Sequence, residues 1–164
     1  MDTLRERFDR LAPDVFTAEG ISIRPIRDDY DLWYATVECT LAPGQEDYVN
    51  PAGFSIGRAY LRPDSNIPCI IWYGESRIGY IVFRQWIGDN ATSWSYYLDK
   101  DWQCKGFGKI AAKLAVQILK EANPDLPIKL SSEKINKLSH RLYQSIGFQL
   151  SDEIDGDDLV FIYE

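Results

Sequence analysis

Apolar residues recur along this chain with two different periods, and the alternation between them lays out the elements. Phe107, Ile110, Ala111, Leu114, Ala115, Ile118 and Leu119 fall at helical spacing, and Asn123-Pro124 stops the pattern. Residues 21–26 alternate as a strand does, and Asp28-Asp29 then offers caps for a helix containing Leu32, Trp33, Thr36 and Val37. Residues 40–50 are rich in turn formers and acids, and 54–61 read as a second short helix before Pro63. The runs 68–73 and 78–84, separated by Gly74-Glu75-Ser76, predict an antiparallel hairpin, and a third β-prone run follows at 93–98. Beyond the long helix, 127–130 predicts a parallel strand and 135–146 a second core helix. Residues 148–150 and 159–163 predict a closing hairpin turned near Asp155-Gly156-Asp157. Leu4, Phe8 and Leu11 share one helical face before Pro13. They predict a helical extension over residues 1–20 that packs outside the main fold and is a candidate contact for a homodimer. The expected class is α/β, with a mixed (α+β) sheet in one domain spanning residues 1–164.

Composition narrows the functional classes. With 45% hydrophobic and 13% aromatic residues in 164, the chain can build one substantial core. No apolar run has the length of a membrane span, and Met1-Asp2-Thr3-Leu4-Arg5-Glu6-Arg7 is too charged for a signal peptide, so a cytoplasmic protein is expected. Cys39, Cys69 and Cys104 are odd in number and widely spaced, which suits reduced thiols, and with His140 as the single histidine no metal centre is expected. His140 itself reads as a solvated or packed helical residue. A net charge of −7 disfavours nucleic acid and anionic membranes as partners and tilts toward a cationic one.

The run Gln103-Cys104-Lys105-Gly106-Phe107-Gly108-Lys109 joins the third β-prone run to the long helix. A strand that enters a helix through Gly-x-Gly leaves backbone N–H groups free at the positive end of the helix dipole, where an anion such as a phosphate fits. Lys105, Lys109 and Lys113, four apart, are read as one cationic face. A Mg-nucleotide P-loop would place Ser or Thr after Gly108-Lys109, where Ile110 stands. A dinucleotide fingerprint would place an acid about twenty positions on, whereas Glu121 comes too early.

The remaining pattern, Gln-x-x-Gly-x-Gly, resembles the acyl-CoA pyrophosphate loop of the GNAT superfamily of N-acyltransferases. Residues 98–108 are similar to its strand-four to helix-three junction, with Gln103 in the common Arg/Gln position. Asn136, Ser139, Leu142-Tyr143 and Gly147-Phe148 resemble its second signature. Cys104 departs from it, since many members carry Gly there, and this backbone position must tolerate a β-carbon. The resemblance implies a sheet that splays to admit the pantetheine arm, with acetyl-CoA as co-substrate. It also implies cofactor binding by Tyr97, Leu98, Gln103, Cys104, Lys105, Gly106, Phe107, Gly108, Lys109, Asn136, Ser139 and Tyr143. By the same resemblance the Leu98 N–H polarises the thioester oxygen and Tyr143 is the general acid. Gly147-Phe148 reads as a helix cap and core anchor.

An alkylammonium must lose a proton before it attacks, and Glu46 and Asp99 are the candidate bases. Within the superfamily, residues 41–49, with Pro43, Gln45, Tyr48 and Val49, followed by Ser55 and Ala59, resemble the bacterial diamine and polyamine acetyltransferases of the spermine/spermidine type. Glu38, Glu46, Asp47 and Asp99 are expected to line a negative pocket, with Trp33, Tyr34 and Tyr48 facing the ammonium. The acceptor implied is a small-molecule primary amine. An aminoglycoside-like or peptide amine, or a non-catalytic acetyl-CoA-binding module, are the alternatives.

Overall fold

The structure, a computed structural model, describes residues 2–86, 88 and 90–164. Eight strands form one mixed sheet in the order β1-β2-β3-β4-β5-β6-β8-β7. These are β1 (Thr17–Ala18), β2 (Ile21–Pro25), β3 (Asn66–Tyr73), β4 (Ser76–Trp86), β5 (Ala91–Leu98), β6 (Ile128–Ser132), β7 (Gln149–Asp155) and β8 (Asp158–Tyr163). The helices are α1 (Leu4–Asp9), α2 (Asp29–Trp33) continued by a π-helical turn (Tyr34–Glu38), α3 (Ala52–Leu61), α4 (Phe107–Ala122) and α5 (Lys137–Ser145). No helix of the described residues is long and apolar enough to cross a membrane.

Alternation along the strands divides the interior between two clusters. Ile67, Cys69, Ile71, Ile81, Phe83, Trp94 and Leu98 join α4 in the larger one. Ile70, Tyr80 and Val82 face the other way, toward Tyr34, Ala35 and Ala52, with Tyr97 packed against them. One long strand therefore serves both faces: β5 sends Trp94, Tyr96 and Leu98 toward α4 and Tyr97 toward α3.

The N-terminal helix departs from expectation. Rather than packing outside, α1 inserts Leu4 and Phe8 into the larger cluster, where they are 1% and 2% exposed, and Phe8 stacks near Phe16 and Phe83. Burying two such side chains contributes roughly 1.5–3 kcal/mol each. Arg7 adds a 2.6 Å hydrogen bond to the Asn123 side chain at the end of α4, and β1 extends the sheet within the same segment. The stripe of Leu4 and Phe8 is thus spent on the chain's own core. The second core helix is also less buried than predicted. His140 is the buried residue of α5, while Ile135 and Leu138 are exposed because they lie at its entrance, away from the sheet.

Two local features set the site. First, β5 and β6 are the parallel pair, and they share one register position, Thr92↔Ile128, beside a 2.9 Å bond from the Thr92 N–H to the Pro127 carbonyl. Beyond it the strands part. Second, β5 remains paired with β4 without a shift up to Leu98↔Gly79, and the Asp99 N–H still donates to the Ile78 carbonyl at 2.8 Å. In an antiparallel ladder alternate residues direct both main-chain groups to the same neighbour. Asp99 and Tyr97 therefore bond toward β4, and the N–H groups of Leu98, Tyr96 and Trp94 face the opening.

Candidate active site

The entrance to α4 keeps its amides free. Gly106, the N-cap, has φ +86° and no side chain to offer, so the N–H groups of the first turn stay unpaired. They point out of a sixteen-residue helix at its positive end, where an anion gains most. Cys104 has φ +59°, a left-handed conformation that costs a residue with a β-carbon about 1 kcal/mol. The exposed thiol therefore sits in a position that glycine fills more cheaply. Lys109 and Lys113 are exposed on α4, but Lys105 lies before the helix begins and rests its ammonium 5.3 Å from the Trp102 ring. The cationic face is two helical lysines flanked by a loop lysine.

Gln103 does more than the sequence suggested. Its Nε2 donates to the Leu98 carbonyl at 2.9 Å and to Gln45 Oε1 at 2.8 Å, while Gln45 Nε2 donates back to Gln103 Oε1 at 3.0 Å. This reciprocal amide pair ties the loop over 40–50 to the helix entrance. A second tie uses Asp99, whose Oδ2 accepts from the Thr40 N–H at 2.9 Å and whose Oδ1 accepts from the Asp101 N–H at 3.0 Å, capping the turn Lys100–Trp102. The Lys100 N–H donates to the Thr40 carbonyl at 2.8 Å. Both oxygens of Asp99 are thus engaged by backbone, whereas Glu46 is exposed and lines a cavity.

That cavity, of about 470 Å³, opens between the π-helical turn after α2, the start of α3 and the 40–50 loop, against Tyr97. Glu46 is the one acidic or basic side chain among its described lining residues, which are otherwise aliphatic or neutral, with Ala35, Leu41, Val49 and Pro51 among the walls. Tyr97 supplies the aromatic surface. The residues expected for that role lie elsewhere: Tyr34 is buried in the smaller cluster beneath the cavity, and Trp33 and Tyr48 are exposed outside it. Glu38 and Asp47 are exposed and do not line it. Helical phase explains the exchange, since the turn of chain that buries Tyr34 swings Trp33 away. Burial pushes the Tyr97 phenol up to about 12, and it pushes the Cys39 thiol up to about 11, so both stay neutral at physiological pH.

On the other side of the opening stands Tyr143 of α5. It packs against Phe148 and Phe161, with ring centroids 5.8 and 5.7 Å away, and its burial raises the phenol above the ordinary value, partly offset by a hydrogen bond with Ser139. Burial raises the Tyr96 phenol of β5, and the nearby Tyr143 phenol adds to that rise. Tyr96 in turn donates to the Gly108 carbonyl at 3.1 Å. α5 begins with Asn136, whose Oδ1 accepts from the Ser139 N–H at 3.4 Å. It ends in a Schellman cap, with the Phe148 N–H on the Tyr143 carbonyl and the Gly147 N–H on that of Gln144. Gly147-Phe148 is the cap and core anchor the sequence predicts. His140 packs on Phe161, its Nε2 2.9 Å from the Glu133 carbonyl. Among the described residues no group of three or more metal-ligating side chains converges.

Gln103 is thus tied to Leu98, Tyr96 links the α4 entrance at Gly108 to the neighbourhood of Tyr143, and Tyr97 and Glu46 line the adjoining cavity. Sequence reasoning assigned no role to Gln45, Thr40 and Tyr96, which brace the site. The signal for Gln45 was its place after Pro43-Gly44 in the loop.

Residues 27–148 match the model of the acetyltransferase (GNAT) family. The chain belongs to that family. A probable spermine N(1)-acetyltransferase of Bacillus subtilis subsp. natto (strain BEST195) is 34% identical over 147 residues, covering 83% of this chain and 92% of the relative. Solved structures show the same GNAT fold. The aminoglycoside acetyltransferase AAC(6')-Ib with paromomycin and acetyl-CoA superposes with a TM-score of 0.72 at 17% identity, over 88% of this chain and 93% of that one. The spermidine N-acetyltransferase of Vibrio cholerae with CoA and spermine gives a TM-score of 0.67 at 14% identity, over 88% and 94%. This GNAT chain is an acyl-CoA-dependent N-acetyltransferase, and acetyl-CoA is its co-substrate.

Proposed function

We propose that the chain, as one catalytic domain, transfers the acetyl group of acetyl-CoA to a primary amine of a diamine or polyamine such as spermidine or spermine, by direct attack in a ternary complex. The observation that carries this reading is the cavity beside Tyr97, whose single charged lining residue is the carboxylate of Glu46 and whose other walls suit a methylene chain. The spermine acetyltransferase relative at 34% identity supports the same acceptor class.

In this reading the main chain from Gln103 to Lys109 holds the diphosphate at the α4 entrance, and the β5 backbone at Tyr97 and Leu98 aligns the pantetheine. Asn136 and Ser139 contact the cofactor from the start of α5. Glu46 takes the ammonium proton, directly or through water, and the freed amine nitrogen forms a bond to the thioester carbonyl carbon. The Leu98 N–H stabilises the oxygen as charge gathers there. The C–S bond then breaks, Tyr143 gives its proton to the departing thiolate, and the second proton on the adduct's nitrogen returns to the phenolate, directly or through water, yielding the N-acetyl amine and free CoA. Asp99, with both oxygens accepting backbone N–H groups, serves first to fix the loop that carries Glu46 and is the less available base.

Steady-state thiol release with spermine, spermidine, an aminoglycoside and a peptide amine tests the acceptor. Saturable turnover is expected with the polyamines, and turnover with the aminoglycoside or the peptide alone would replace this acceptor class. Glu46→Gln is expected to lower kcat/KM for the polyamine by about 10²-fold with unchanged CoA binding, and an unaltered kcat/KM would remove Glu46 from the reaction.

A further inference from the structure

The sheet face that carries the acceptor cavity has a larger groove at the far end of α3. It is an open cavity of about 910 Å³ between α3 and the ends of β3 and β4, walled by Phe54, Leu61 and Trp86 and by Arg58, Arg62 and Arg84. Three guanidinium groups in one groove stand out in a chain of net charge −7, and no carboxylate is among its described lining residues. None of the three arginines forms an ion pair with the described residues. Arg84 is the most constrained, since its Nε is buried without a hydrogen-bond partner among the described residues. Its pKa is lowered first by that burial and then by the positive charge of Arg58. Two like charges held across a groove, one of them partly desolvated, favour an anion between them.

The walls add shape. Arg58 lies 4.8 Å from the centroid of the Phe54 ring and Arg84 lies 5.3 Å from that of Trp86, and both rings are substantially exposed. Each guanidinium thus rests against an aromatic ring that is itself exposed to solvent and available for stacking. Arg84 is also distant from the chemistry. Arg84 pairs with Ser93, whereas Gly79 pairs with Leu98, five residues further along the ladder, or about 17 Å at strand spacing. The two cavities adjoin at Gly53, which lines both, but the guanidinium charge of this one would repel a polyammonium acceptor, so they suit ligands of opposite charge.

We propose that this groove binds a small anion borne on a flat ring, in a site separate from the acetyl-transfer centre. The oxyanion would lie between Arg58 and Arg84 and the ring against Phe54 or Trp86. An aromatic carboxylate and a nucleoside monophosphate share that chemistry.

Titration calorimetry on the full chain tests this, with benzoate and AMP as ring-borne anions and with inorganic phosphate and benzyl alcohol as the separated halves. Saturating coenzyme A is present throughout, so that AMP cannot report on the cofactor site. Saturable binding of benzoate, AMP or both is expected, with weaker binding of either half, and the stronger ring anion identifies the natural oxyanion. Arg58→Gln is expected to weaken that binding about tenfold or more while leaving coenzyme A affinity and the melting temperature unchanged. Phe54→Ala supplies the same readout should Arg58→Gln fold poorly. Absence of saturable binding by both ring anions, or binding that neither substitution alters, overturns the proposal. Sedimentation showing a wild-type dimer that Arg58→Gln dissociates, with no anion bound, would hand the groove to a second copy of the chain and overturn it equally.

Discussion

Tyr143→Phe is expected to lower kcat by about two orders of magnitude while leaving the affinity for acetyl-CoA nearly unchanged. The substitution removes one oxygen and keeps the ring, so the contacts with Phe148 and Phe161 that hold α5 in place persist. What is lost, in the proposed mechanism, is the proton for the departing thiolate. Burial has raised the phenol above its ordinary 10.0, so it remains protonated across the physiological range and is available as an acid there. The sign of the pH dependence follows. The acceptor ammonium, near its reference value of about 10.4, must lose a proton, so activity rises with pH. Because the acid's pKa is raised rather than lowered, no falling limb appears below about pH 10. Stopped-flow thiol release gives kcat and its pH profile, and calorimetry gives the cofactor affinity. An unchanged kcat, or a falling limb near neutrality that survives in the Phe variant, would assign the proton to another group.

Gly79→Ala is expected to damage stability and turnover together. A β-carbon at this position would meet the Tyr97 carbonyl oxygen at 2.6 Å, Leu98 Cδ2 at 2.8 Å and Leu98 Cα at 3.1 Å. Two of those atoms are backbone, so relief requires β4 and β5 to separate at the point where the Leu98 N–H faces the opening. Such overpacking costs about 2 kcal/mol, or a melting temperature lower by roughly 4–8 °C for a chain of this size. Moving a hydrogen-bond donor by a fraction of an ångström also costs catalysis, here about tenfold or more in kcat. Gly57→Ala is the matched control, since nothing lies within 4 Å of a β-carbon there and it sits inside α3, where alanine is the better helix former. Differential scanning calorimetry and single-turnover rates on the pair separate the outcomes. A Gly79→Ala protein that melts and turns over like Gly57→Ala would show that the two strands do not need their close approach.

The elements of this fold were readable where a single period ran uninterrupted. α4 was found from its apolar stripe and its Asn123-Pro124 stop, and the β3–β4 hairpin from two apolar runs around Gly74. The same logic placed the uncapped entrance of α4, because a left-handed Gly106 before the helix is a local feature. What periodicity leaves open is the partner of an apolar stripe, and α1 shows it. Leu4 and Phe8 announce a buried face, but nothing local tells whether the chain's own core or another molecule covers it. The acceptor side was harder for a related reason. Glu46 was placed correctly beside the cavity, yet Trp33 and Tyr48 were exchanged for Tyr97, because loop and helix phase settle only when residues 40–50 are tied down. Those ties, Gln45 to Gln103 and Thr40 to Asp99, span 58 and 59 positions and have no signature in either segment alone.

The ladder between β5 and β6 stops after a single rung, and past that rung the molecule presents bare peptide groups to whatever enters. Peptide groups are the same under every side chain. A recognition surface made of them lets the sequence above it drift freely, provided the strands continue to diverge at the same place. Structures sharing only 14–17% of their residues with this one can therefore keep its architecture. The constraint falls instead on Thr92, where the two halves of the sheet still touch.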